Sequence, residues 1–156
     1  MHAAFHHEVK TADSPAGLEG WRSAIARGNL AFKLADYAGA IAQYRAAHSW
    51  ADALFGHIDD VDAGVAAFVV SCHNLADTYE CLDRPDEQES CLCLAHEKLC
   101  AAMNDGSLAE PWRLAALRHS RRTYAELLRF LGRHPGHARA RAGCALGAAG
   151  PTPLAH

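Results

Sequence analysis

The sequence predicts an all-α fold, an α-solenoid of about three antiparallel helix hairpins, and three observations carry that expectation. A helix-pair pattern recurs along the chain: Gly28, Ala31, Leu34, Ala40, Tyr44 and Ala47 return forty-eight residues later as Ala76, Tyr79, Leu82, Gln88, Leu92 and Ala95. A further forty-nine residues on, Ala125, Leu128, Leu131 and Gly132 repeat its first half. Self-similarity at such a period marks hairpins that bury their apolar faces only against their neighbours. Composition agrees, because half of the 156 residues are hydrophobic, many of them alanine, and β-branched residues are few. That balance favours helix over sheet. Turn and cap signals then fall at regular intervals between the helical stretches.

Residues 1–13 are expected to form a flexible arm, residues 14–146 one helical domain, and the Gly/Ala/Pro-rich residues 147–156 a disordered tail. Ser14 caps the first helix with Pro15 at its first position, where a missing N–H costs nothing. This helix runs to about Leu34, Ala35-Asp36 turns the chain, and the second helix runs from Tyr37 to Leu54. Gly56 to Asp60 breaks it. The third helix starts at Asp60 or Asp62, whose carboxylates suit the positive end of a helix, and reaches Leu82. Pro85 opens the fourth, which ends near Met103. Ser107 and Glu110 read as a capping box for the fifth, which Gly132 and Pro135-Gly136 end. A short sixth helix over His137 to Leu146 is weakened by Gly143.

The repeated residues resemble the tetratricopeptide repeat family, in a variant with longer helices. Small residues, Gly28, Ala40 and Ala47, stand where paired helices approach, and Phe32, Tyr37 and Tyr44 fill the gaps between them. The resemblance covers residues 16–133; the second unit is close in its first helix, and the third keeps only that helix. It implies a right-handed stack whose first helices line a concave groove, and a non-enzymatic adaptor or chaperone that holds a peptide or helix of a partner protein there. Carried over position by position, the groove takes Asn29, Phe32 and Lys33 from the first unit. The second supplies His73, Asn74 and Asp77, and the third Arg122 and Arg129. Asn29 and Asn74 occupy the positions of the two asparagines with which one subset of the family grips a terminal carboxylate. Ile25 and Thr123 stand where that subset carries charge, so the clamp is incomplete.

Charge is divided unevenly. Residues 1–104 carry 7 Lys+Arg against 15 Asp+Glu, whereas residues 105–156 carry 8 Arg against 3 acids. An all-arginine patch suits recognition of an acidic group, and it also complements the acidic half as an ordinary solvated face. Arg118, Arg121, Arg122 and Arg129 near Tyr124 and Phe130 do not make a nucleic-acid surface, since the acidic remainder repels a polyanion. No phosphate loop, dinucleotide fingerprint or nucleophile elbow occurs, and neither an enzyme nor a cofactor is expected.

The six cysteines form no C-x-x-C pair and are expected to be reduced thiols in a cytoplasmic protein, with neither a signal peptide nor a membrane span. Cys93, His96 and Cys100 share a helical face at i, i+3 and i+7, and His73 lies on the preceding helix. Soft thiolate and imidazole ligands in this arrangement form the alternative reading, a zinc or copper site. A homodimer through the fifth helix is also expected, because Trp112, Leu117, Tyr124, Leu128 and Leu131 would otherwise stand at the open end of the stack. Leu18, Trp21 and Ile25 are expected at the other end.

Overall fold

The computed structural model describes residues 15–149. They form helices α1 (Pro15–Lys33), α2 (Tyr37–Leu54), α3 (Val61–Cys81), α4 (Pro85–Met103), α5 (Glu110–Arg133) and α6 (Ala138–Ala149), and no strand occurs among the described residues. The expected arm over 1–13, the Ser14 cap and residues 150–156 of the expected tail lie outside them. Residues 147–149, read as tail, instead continue α6. No helix of the described residues is long and apolar enough to cross a membrane.

Each helix packs on its successor in sequence, and α3 also meets α5 while α4 meets α6. The first two hairpins turn in the same way. Ala35 and Asp83, forty-eight positions apart, both adopt left-handed backbone, at φ 57° and 52°. The N–H after each reaches back to close the helix end, Asp36 to the carbonyl of Ala31 at 2.9 Å and Arg84 to that of Tyr79 at 3.0 Å. This six-to-one bond satisfies a carbonyl that the last helical turn leaves open. The third turn departs from the pattern, since His134 bonds simply to the carbonyl of Phe130 at 2.9 Å.

Aspartates start the next two helices. Asp36 accepts from the Gly39 N–H at 2.9 Å, and Asp60, not Asp62, caps α3 by accepting from Ala63 at 3.1 Å. The capping box expected at α5 does not form. Asp105 takes both the hydroxyl and the N–H of Ser107, at 2.6 and 2.9 Å, so the serine serves a local turn and Ala109 becomes the cap residue.

The largest core gathers Leu54, Phe55, Val65, Phe68, Leu99 and Trp112, with Phe55 edge-on to Phe68 at 5.7 Å. Two smaller clusters flank it, one around Tyr44, Leu75 and Tyr79, the other around Leu92, Leu127 and Phe130. Close approach depends on missing side chains. A Cβ at Gly28 would stand 2.4 Å from the Tyr44 ring, and one at Gly64 would stand 2.6 Å from Trp112. Gly143, expected to weaken the last helix, is a point where α6 sits against α5: a Cβ there would lie 3.1 Å from Leu127.

The apolar residues expected at the open ends are partly inside. Trp112 is buried, and Leu18 and Trp21 pack against the largest core, with the Trp21 indole donating to Ser71 Oγ at 2.9 Å. Ile25 packs beside the Tyr44 cluster. On α5, Leu114, Leu117 and Leu128 remain exposed, and Tyr124 and Leu131 are half-buried.

Candidate functional site

Asn29 and Phe32 lie one turn apart on α1, and Asn74 and Asp77 lie one turn apart on α3, so each pair shares a helix face. Together with Tyr44 from α2 they line a cleft of about 170 Å³. Four of the residues expected in a groove are thereby brought together. Tyr44, read from the sequence as a gap filler, is the additional member. Its ring packs in the core, and its hydroxyl donates to Asn29 Oδ1 at 2.7 Å. A buried tyrosine whose polar tip must find a partner is the signal that could have identified it.

The cleft's polar groups differ in how far they are engaged. Asn29 gives its oxygen to Tyr44 and keeps its amide donors. Among the described residues, the Asn74 side-chain amide and the Asp77 carboxylate have neither a hydrogen-bond partner nor an ion-pair partner. The pKa of Asp77 is raised, chiefly by burial of its carboxyl between the helices and then by Glu126; Arg129 and Arg122 oppose this and Glu80 adds to it. The residue is solvent-accessible as a whole, so the desolvation concerns the carboxyl's position rather than a sealed cavity. Tyr44 is raised too, by burial first and by the charge of Asp77 second.

Arginines on α5 border this region without filling it. Arg129 is held by Glu126 at 3.0 Å and lies 3.8 Å from Glu80, which also binds Arg133. Arg122 is exposed, with no ion-pair partner among the described residues. Lys33 is exposed beyond the cleft, outside its lining. His73 is not on the surface: it is 5% exposed, and its Nε2 has no partner. Burial, reinforced by the charge of Arg122, lowers its pKa to about 4. Thr123, at one of the positions where the clamp subset carries charge, is buried.

The Cys/His set resolves into packing. His96 is 1% exposed, with Nδ1 2.7 Å from Thr123 Oγ1 and Nε2 3.5 Å from Cys100 Sγ. Whichever nitrogen carries the proton, both already face protein partners. Cys93 lies among Ala76, Leu92 and Leu127, and burial pushes its thiol up to about 12. Seven residues of helix separate Cys93 from Cys100 by about 10 Å of rise, too far for shared ligation without distortion. Among the described residues, no three His, Cys, Asp or Glu side chains are placed to hold a metal ion. The shared helical face at i, i+3 and i+7 therefore brought His96 to Cys100 without gathering all three around one ion.

Fold and cleft together define a class: an all-helical protein with a small polar cleft among its first three described helices. Within that class the chain belongs to the family described as Protein of unknown function (DUF2753), which matches residues 19–147. No curated protein and no solved structure gives a significant match.

Proposed function

We propose that this protein is a tetratricopeptide-like adaptor or chaperone, a short right-handed solenoid that holds a segment of a partner protein along the face formed by α1, α3 and α5. The observation that carries this reading is the cleft in which Asn29, Phe32, Asn74 and Asp77 meet with unused polar groups. The matched turns at Ala35 and Asp83 support the repeat. Asparagine amides offer a donor and an acceptor side by side, the pattern that an extended peptide backbone presents in return. Phe32 supplies an apolar wall, and its ring sits edge-on to Tyr37 at 5.6 Å. At about 170 Å³ the cleft is smaller than the roughly 300 Å³ at which small-molecule and cofactor sites begin, and it suits one side chain of a longer ligand.

Capture from a native lysate, with wild type compared against an Asn29→Ala/Asn74→Ala/Arg122→Ala variant, tests the reading. A partner retained by wild type and lost by the variant is the expected result. Equal recovery by both removes the groove assignment.

A further inference from the structure

Resting on that groove reading, we infer that the cleft of Asn29, Phe32, Tyr44, Asn74 and Asp77 receives a cationic side chain of the partner segment, an arginine guanidinium seated on the Asp77 carboxylate. The unpaired carboxylate is the main reason. Its neighbours Glu80 and Glu126 are bound to Arg129 and Arg133, yet Asp77 has no cation of its own among the described residues. Its carboxyl is partly withdrawn from water between the helices, and Arg129 and Arg122 offset only in part that burial and the charges of Glu126 and Glu80, so an incoming cation held directly on it is favoured.

The other lining residues choose among cations. A guanidinium is flat and carries five N–H donors. The Asp77 oxygens accept two of them, and the free Asn74 Oδ1 accepts another. Phe32 offers an aromatic surface to a planar cation. Tyr44 donates to Asn29 Oδ1 at 2.7 Å, which holds the Asn29 amide group for a carbonyl of the bound backbone. The same geometry rejects the acidic tail that the two asparagines alone would imply. A terminal carboxylate placed here would meet Asp77, and neither Arg122 nor Arg129 lines the cleft.

Side-chain amide NMR of the full chain, titrated with acetyl-Gly-Arg-Gly-amide, tests the inference, with citrulline and glutamate versions of the peptide as the other arms. Citrulline keeps the shape of arginine and loses the charge. Saturable shifts of the Asn29 and Asn74 side-chain amides with the arginine peptide, at least tenfold weaker with citrulline and absent with glutamate, are expected. Asp77→Asn should weaken arginine-peptide binding at least tenfold, and Asp77→Glu should retain part of it, which separates lost charge from lost folding. Equal responses to arginine and citrulline, or unchanged binding by Asp77→Asn, overturn the inference. A lysate partner lost by the Asn29/Asn74/Arg122 variant but kept by Asp77→Asn would overturn it while leaving the groove reading in place.

Discussion

Two polar regions of this molecule have opposite arrangements. Between α1 and α3, Asn74 and Asp77 face a cleft without partners, and Asn29 is half-engaged. Where α4 meets α5 and α6, His96, Thr123 and Cys100 bond to one another under cover, with Leu127 and Gly143 pressed against the same contact. Both regions read from sequence as clusters of polar residues at helical spacing. The difference shows that spacing selects a face, and that the neighbouring helices decide whether the face is spent on packing or left for a ligand.

The largest test of this contrast is truncation in the closed region. Leu127 is fully buried, and it meets Gly143 at the point where α6 docks. Leu127→Ala should cost about 2–5 kcal/mol, because it removes a fully buried side chain and leaves a cavity where it packed. Urea denaturation measures it. A loss under about 1 kcal/mol would mean that α6 moves freely, and that the closed region is as open as the cleft.

An acid titration comes next in size. The pKa of His73 falls to about 4 in the folded protein, against about 6.5 for an unhindered imidazole. The unfolded chain therefore takes up a proton in this window that the folded chain refuses. Stability from the buried neutral ring is fully present above about pH 6.5 and is lost as pH falls toward 4, amounting to about 2 kcal/mol between pH 7 and pH 5. His96 and His48, both lowered chiefly by burial, act in the same direction. Asp77, raised by burial, opposes them only nearer the carboxylate range. Denaturation midpoints at pH 7 and pH 5 should separate accordingly, and His73→Leu should narrow the gap. An unchanged gap in that variant would place the acid sensitivity on His96 or His48.

The helices were legible because their signals are local. Pro15 and Pro85 at helix starts and Ala35-Asp36 at a turn each act within one turn, and the recurrence of Gly28 as Ala76 registers the hairpins. The cleft was legible in four residues out of five, since Asn29, Phe32, Asn74 and Asp77 lie on the first helices of their pairs. What escaped depended on contacts across long separations. His73 stands beside Asn74 in sequence, but a helix turns adjacent residues about 100° apart, and this one points into the core. Gly143 read as a helix breaker because the residue that needs its small size, Leu127, lies on another helix. The serine of the expected capping box was claimed by Asp105, a competition between two local motifs that propensity alone does not rank.

The smallest effect gives the finest distinction, inside the cleft itself. Asn74→Ala removes a side-chain amide that has no partner among the described residues, on a half-buried position of α3, and alanine is the better helix former there. Its change in stability should stay within about 0.5 kcal/mol. Asn29→Ala differs, because it removes the acceptor of the Tyr44 hydroxyl, a group 2.7 Å away on a ring that is 3% exposed. Leaving that donor short of a partner should cost about 1 kcal/mol, offset in part by the gain in helix propensity. Tyr44→Phe should cancel most of the Asn29→Ala penalty, since the donor is then gone as well. A double-mutant cycle over Asn29 and Tyr44 reads the coupling directly, and Asn74→Ala on the Tyr44→Phe background should read none. Coupling for Asn74 as large as that for Asn29 would mean that both asparagines are bound into the fold, leaving Asp77 as the cleft's one polar group unengaged by the protein.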